Sequence, residues 1–237
     1  MTAPALELRG VSAGYGPFHA LFEVSLRVGV GEAVALLGPN GVGKTTVARV
    51  ATGLIVPTGG TVHVDGEDMT GAATHRFARA GVVHAPEGRS VFATLTVEEN
   101  LVLSFRRSRG RAGVPGALDQ AFELFPTLAR RRRQLAGTLS GGEQRMLSMA
   151  RVLVESPKVL VADELSLGLA PIVVDEVYDD LERLRGQGTS LLIVEQHVGH
   201  ALALCDRVVL LDHGSVAWEG PASHAADHVV TAVFAQD

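Results

Sequence analysis

Glu32-Ala33-Val34-Ala35-Leu36-Leu37-Gly38-Pro39-Asn40-Gly41-Val42-Gly43-Lys44-Thr45-Thr46 is the stretch that decides the fold. Its first six residues read as a buried strand, and beyond Thr45 the residues Val47, Val50, Ala51 and Leu54 fall on one helical face until Gly53 and Pro57 stop it. Between strand and helix stand a glycine, four residues, then Gly-Lys-Thr, the pattern of a phosphate-binding loop in the context it needs. Gly38, Gly41 and Gly43 permit positive φ, so successive N–H groups can turn toward one anion while the helix N-terminus adds partial positive charge. Lys44 is expected to reach the β- and γ-phosphates of a nucleotide, and the Thr45 hydroxyl to ligate Mg²⁺.

Residue usage strengthens the assignment. The chain holds two lysines, Lys44 and Lys158, against nineteen arginines. A compact ammonium suits a tight cradle of backbone amides where a planar guanidinium does not, so a lysine kept at this position has a chemical reason.

The rest of the composition bounds the class. A chain of 237 residues that is 46% hydrophobic and 20% charged can bury one sizeable core with a smaller subdomain. The net charge of −5 gives no general reason to expect nucleic acid or an anionic membrane as a partner. Cys205 stands alone, which excludes an internal disulfide framework or a cysteine metal site. No apolar run approaches the ~18 residues that span a bilayer, and Met1 to Leu8 does not read as a signal peptide. A cytoplasmic chain is expected, with any membrane role exerted through partner subunits.

Outward from the loop, alternation predicts antiparallel strands at Ala5 to Val11, Phe22 to Val28 and Thr61 to Val64. Val82 to Ala85, Val159 to Ala162, Ser190 to Val194 and Arg207 to Leu211 are instead short, nearly continuous apolar runs, as expected of strands covered on both faces of a parallel sheet. Val173, Val174, Val177, Leu181 and Leu184 repeat at helical spacing behind Pro171, with Asp175 and Glu176 read in the first turn and Arg185-Gly186 at the close. The result is an α/β layer architecture. From about Gly88 to Pro157 the pattern is mainly helical: Thr96 with Glu99 and Ser140 with Glu143 have capping-box spacing, Arg106 to Gly116 reads as a basic loop, and Arg130 to Arg133 is a run of four positive charges. Such runs are usually solvated helix surface; contact with an acidic partner or lipid headgroups is the functional alternative.

Ser140-Gly141-Gly142-Glu143-Gln144, behind Leu139, offers a hydroxyl and glycine amides at a helix start, a second anion site. With it, nearly the whole chain resembles the ATP-binding subunits of ABC transporters. That resemblance implies a P-loop NTPase of the ABC ATPase type, with a mainly parallel core sheet, an N-terminal antiparallel β subdomain and an inserted helical subdomain. One domain over 1–237 is expected, its core and β subdomain at about 1–87 and 158–237 and its helical part at about 88–157.

The resemblance also implies roles. ATP would be held by Tyr15 stacking on adenine, by Gly38, Pro39, Asn40, Gly41, Val42, Gly43, Lys44, Thr45 and Thr46, and by Glu87. Ser140, Gly141, Gly142 and Glu143 would face the phosphate of an ATP bound to another subunit. Mg²⁺ would be ligated by Thr45, Asp163 and Glu87. Val159 to Glu164 resembles the Walker B strand, whose Asp163 meets the metal and whose Glu164 polarises water; His197, in Val194-Glu195-Gln196-His197, matches the switch histidine at the γ-phosphate. Lys44, Glu164 and His197 are the expected catalytic set. The family packs two such subunits head to tail, so each phosphate segment is half of a site.

Subfamily features follow from the departures. Glu87 replaces the usual glutamine within Ala85 to Phe92, where Arg89 or metal would offset its charge; Leu95 to Leu101 and Ser166 to Pro171 add to a likeness with the smaller ATPase subunit of branched-chain amino-acid importers. Leu165 stands where proline is usual, and His197 where that subfamily often has asparagine. The resemblance implies a second ATPase subunit, alike or different, integral permease subunits, and indirectly a periplasmic or extracellular solute-binding protein. It implies no nucleic acid, and a peripheral position on the inner face of the membrane. Export, such as lipid extraction, and a soluble non-transport ABC protein are the alternatives.

Overall fold

The structure is a computed structural model describing residues 3–86, 91–196 and 198–225. It divides into two compact units.

The first unit takes the described residues of Met1–Pro86, Lys158–Leu165 and Arg185–Asp237. It begins with a hairpin of β1 (Leu6–Tyr15) and β2 (Phe18–Val28). Next come β3 (Ala33–Leu37), α1 (Lys44–Ala51), β4 (Gly59–Val64), β5 (Glu67–Asp68), α2 (Thr74–Arg79) and β6 (Val82–Ala85). Leu6, Leu8, Val11 and Ala13 of β1 and Val24, Leu26 and Val28 of β2 are buried, the period-two pattern of a sheet with one face covered. The antiparallel sheet has the order β2-β1-β4-β5. Both strands of the hairpin run further than alternation indicated, to Tyr15 and back to Phe18, because register shifts after Leu8 and Val11 interrupt the period-two pattern.

The second sheet contains β7 (Val159–Asp163), β8 (Ser190–Val194), β9 (Arg207–Asp212) and β10 (Ser215–Pro221) with β3 and β6, in the order β10-β9-β3-β8-β7-β6. Every pairing from β9 to β6 is parallel and only β10 runs antiparallel. All residues of β3, β7 and β8 are buried, which explains why they read as unbroken apolar runs. Side chains from both sheets and α1 share one core that includes Leu6, Val28, Leu36, Val47, Val161, Leu192 and Val209. α7 (Val198–Leu204) precedes Cys205, a residue 7% exposed whose thiol pKa is pushed up by burial to about 12.

The second unit takes the described residues of Glu87–Pro157 and Ser166–Leu184. It contains α3 (Val97–Leu124), α4 (Pro126–Arg130) and α5 (Gly141–Glu155), and α6 (Pro171–Gly186) through Leu184. Val97, Leu101, Phe105, Ala121, Leu128, Leu147 and Val154 form its own core. Thr96 and Ser140 cap α3 and α5 through complete capping boxes, as their spacing indicated.

Three local expectations need correction. Arg106 to Gly116 is not a loop: α3 passes through it, and only Gly110, at φ 67°, leaves helical geometry. Glycine stops and restarts the helix there at little steric cost, while the arginines around it stay in helical turns. α1 ends at Ala51, and Leu54 is 51% exposed rather than on the buried face. α6 starts at Pro171, so Asp175 and Glu176 lie beyond its first turn, which holds no acid.

Candidate functional site

Strand order builds the site. β3, β8 and β7 are neighbours and run parallel, so the segments leaving their carboxyl ends emerge side by side, the usual place for ligands in an open α/β sheet. Those segments carry the phosphate loop after β3, Asp163-Glu164 at the end of β7, and Glu195-Gln196 after β8.

The loop has the conformation that its glycines allow: φ is 152° at Gly38, 80° at Gly41 and 107° at Gly43, which caps α1. Gly38 and Gly43 also make close approaches. A Cβ on Gly38 would lie 2.2 Å from the Leu211 carbonyl oxygen, and one on Gly43 2.8 Å from that of Ala20. Gly214 donates its N–H to the Val42 oxygen at 3.0 Å, tying the loop to the β9–β10 turn. Pro39, Asn40 and Val42 complete the loop, and Thr46 is buried in the first turn of α1.

Lys44 is 4% exposed and donates to the carbonyls of Gly38 at 2.8 Å and Pro39 at 2.9 Å. Its ammonium lies 3.9 Å from Glu164 Oε1. Burial draws its pKa below the ordinary lysine value, against the opposing pull of Glu164, Asp163 and Glu195. Thr45 donates its hydroxyl to Asp163 Oδ1 at 3.4 Å. These hard oxygens suit Mg²⁺, which needs only one or two protein ligands beside water and phosphate.

Glu164 is held from two sides. Its N–H donates to the Val194 carbonyl at 2.8 Å, and its Oε1 accepts from Gln196 Nε2 at 2.9 Å. Its φ is 48°, a left-handed conformation that costs on the order of 1 kcal/mol in a non-glycine residue. Leu165, next in the chain, is 3% exposed and sinks into the protein instead of stiffening the turn as proline would. Tyr15 is 44% exposed; its hydroxyl accepts from Arg49 Nη1 at 2.9 Å, and the Arg49 guanidinium carbon lies 5.9 Å from the ring centroid. Thr46 Oγ1 lies 3.5 Å from the same hydroxyl.

In the second unit, Ser140 Oγ accepts from the Glu143 N–H at 3.3 Å and Glu143 Oε2 accepts from the Ser140 N–H at 2.9 Å. That backbone hydrogen bond holds the Glu143 carboxyl below its ordinary pKa, aided by Arg131, whose Nε is 2.7 Å from Oε1. Gln144, buried, donates to the carbonyls of Ala136 at 2.9 Å and Leu139 at 3.3 Å, fixing the approach to Gly141 and Gly142. Arg132 pairs with Glu98 at 2.6 Å, so part of the arginine run is engaged within the unit.

The first unit thus brings together Lys44, Thr45, Asp163 and Glu164, with Tyr15 on the α1 side. Glu87 and His197 lie outside the described residues. Sequence reading missed three neighbours: Gln196 on Glu164, Arg49 on Tyr15, and His84, whose Nε2 is 3.9 Å from Asp163 Oδ2. The signal for Gln196 was the register of β7 on β8, which pairs Asp163 with Val194 and sets the following residues of the two segments beside each other.

Known proteins resemble this chain over most of its length. Residues 21–166 match the ABC transporter family. The chain is 42% identical over 207 residues to the high-affinity branched-chain amino acid transport ATP-binding protein BraG of Pseudomonas aeruginosa, covering 87% of this chain and 88% of that one. It is 36% identical to the probable branched-chain amino acid transport ATP-binding protein LivF of Archaeoglobus fulgidus, with 92% of each covered. It is 33% identical to the lipopolysaccharide export system ATP-binding protein LptB of Haemophilus influenzae, over 97% of this chain and 96% of that one. A solved structure of an ATP binding subunit of an ABC transporter superposes with a TM-score of 0.84 at 25% identity, covering 96% and 94% of the two chains. A mixed α/β cassette with a phosphate loop, a buried lysine and a paired carboxylate turn, joined to these likenesses, has one assignment: the chain belongs to the ABC transporter family, as an ATP-binding subunit that hydrolyses ATP.

Proposed function

We propose that this chain energises the uptake of branched-chain amino acids, or related small polar solutes, through a separate membrane permease. The observation that carries its ATPase chemistry is the convergence of Lys44, Thr45, Asp163 and Glu164 at the ends of adjacent parallel strands. The cargo is carried over from BraG, at 42% identity.

In this reading the loop amides from Gly38 to Thr46 cradle the β- and γ-phosphates and Lys44 turns from its two loop carbonyls to the γ-phosphate as the anion arrives. Thr45, Asp163 and Glu87 would hold Mg²⁺, which when bound would neutralise charge on the phosphates. Glu164, steadied by Gln196, orients a water in line with the γ-phosphorus; the bridging bond to the β-phosphate breaks, giving ADP and phosphate. His197 contacts the γ-phosphate, and Tyr15 stacks on adenine. Ser140, Gly141, Gly142 and Glu143 complete the site of a second ATPase subunit, so ATP holds two subunits together and its hydrolysis lets them part.

The remaining partners are integral permease subunits and, through them, a solute-binding protein. Among the described residues no helix is long and apolar enough to cross a membrane, which fits a peripheral subunit docked on the inner face. Glu164→Gln should bind ATP, lose turnover and accumulate as a dimer in ATP; a monomeric variant with full activity overturns the mechanism. Loss of leucine uptake on deleting the gene, restored by the wild-type chain, tests the cargo. Export is the second reading, favoured by the 33% identity to LptB, and predicts unchanged uptake in that deletion.

A further inference from the structure

The strand β6 carries one polar side chain onto an apolar face. Its parallel register on β7 pairs Val82 with Val159, Val83 with Leu160, His84 with Val161 and Ala85 with Ala162. Side chains alternate between the faces of a sheet, so Val82 and His84 lie on the same side as Val159, Val161 and, two residues further along β7, Asp163. Val82, Val159 and Val161 all belong to the shared core of this unit. A leucine or phenylalanine at 84 would extend that packing at no polar cost.

His84 is instead an imidazole whose Nε2 is buried and has no hydrogen-bond partner among the described residues. Its side chain is 13% exposed, and Nε2 lies 3.9 Å from Asp163 Oδ2. That separation is too long for a hydrogen bond, yet in a buried site it is close enough for an N–H dipole to attract a carboxylate. Nε2 carries a hydrogen in one neutral tautomer and in the cation alike, so the attraction needs no change of charge. Asp163 has use for such a hold. Its carboxylate, on a residue 1% exposed, accepts from the Thr45 hydroxyl on Oδ1 at 3.4 Å, a weak bond at that length. The terminal torsion of an aspartate is soft, so one long bond leaves the carboxylate free to turn, and a second group facing Oδ2 fixes its plane.

We propose that His84 is a positioning residue of the nucleotide site: by facing Asp163 Oδ2 it keeps Oδ1 beside the Thr45 hydroxyl, where both oxygens can meet one divalent cation. This role rests on the Mg²⁺ site of the function proposed above, and it is exerted through Asp163 rather than on the phosphates. Carboxylates that ligate metals are commonly fixed from behind in this way. The unpaired nitrogen is a cost borne by the metal-free fold, which gives the role a signature. Removing the imidazole should weaken metal binding without weakening the fold.

The test is a titration of Mn²⁺, a paramagnetic substitute for Mg²⁺, into the full-length chain carrying less than one equivalent of a non-hydrolysable ATP analogue, with free metal read by electron paramagnetic resonance. His84→Phe keeps a ring on the strand and removes its nitrogens, while His84→Gln returns an N–H at a similar reach. The His84→Phe chain should bind Mn²⁺ at least about tenfold more weakly, and the His84→Gln chain within about threefold of the wild type. Affinity for the analogue in EDTA should be the same in all three, and the metal-free Tm of His84→Phe should equal or exceed that of the wild type. If the larger ring disturbs folding, His84→Leu removes the donor with less bulk. Unchanged Mn²⁺ affinity in the chains lacking the donor, or equal losses in His84→Phe and His84→Gln, overturns the proposal. Asp163→Asn tells the two levels apart: if it also leaves Mn²⁺ binding unchanged, the metal site itself is refuted, whereas a loss confined to Asp163→Asn refutes only the part given to His84.

Discussion

Gly41 and Gly43 lie two residues apart in the phosphate loop, both at positive φ, 80° and 107°, yet their surroundings differ. A Cβ on Gly41 would meet nothing within 4 Å, whereas one on Gly43 would lie 2.8 Å from both the Ala20 carbonyl oxygen and Leu21 Cδ2. Gly41→Ala therefore isolates backbone strain, about 1–2 kcal/mol for an L residue forced into that region. Gly43→Ala adds a clash with a backbone oxygen that cannot swing away, about 1–3 kcal/mol more. The loss of unfolded-chain freedom that any Gly→Ala change brings is common to both and cancels in their difference. For a chain of this length each kcal/mol moves Tm by about 2–4 °C, so Gly41→Ala should lower Tm by ~2–8 °C and Gly43→Ala by ~4–20 °C. Differential scanning calorimetry at matched concentration, without nucleotide, measures both. Equal losses would show that the approach of β2 to the loop does not constrain Gly43, and an unchanged Gly41→Ala would refute the strain argument.

Other outcomes follow from the same geometry. Gln196→Ala frees Glu164 Oε1 from its 2.9 Å donor and should lower kcat by up to about a hundredfold with little change in KM for ATP, checked by steady-state phosphate release. Tyr15→Ala should weaken ATP by about 1–3 kcal/mol, while Tyr15→Phe, which loses only the hydroxyl accepting from Arg49, should keep most of the affinity in a fluorescent-nucleotide titration. Asp180, raised to about 6 from 3.8, binds its proton more tightly folded than unfolded. Its penalty is therefore absent below pH ~4, grows as pH rises toward 6 and is complete above it, at about 3 kcal/mol. Asp180→Asn should raise thermal stability at pH 7.5 and leave it nearly unchanged at pH 4.

Much of the nucleotide-binding core was readable in the chain because its cues are local. A doubly covered strand such as Val34 to Leu37 shows as an apolar run, and the loop glycines announce positive φ before any partner is known. Capping boxes at Thr96 and Ser140 are likewise complete within four residues. What escaped depended on distant parts of the chain. Gln196 meets Glu164 only because β8 lies between β3 and β7, an order no short window contains. Arg49 reaches Tyr15 from 34 residues away. The helical continuity through Arg106 to Gly116 was hidden because glycine and clustered charge are the usual marks of a loop, and here only Gly110 breaks the turn.

The single thiol of the chain has a practical consequence for following this machine in motion. Cys205 is buried, and burial pushes its thiol up to about 12, so at neutral pH it is held as the unreactive thiol and shielded from maleimides or nitroxide reagents. The native chain is thus already a silent background for site-directed labelling. A cysteine introduced at an exposed position such as Phe18 or Ile172 can carry a spin or fluorescent probe without first removing Cys205, so distances between two subunits can be followed through an ATP cycle in an otherwise unaltered protein.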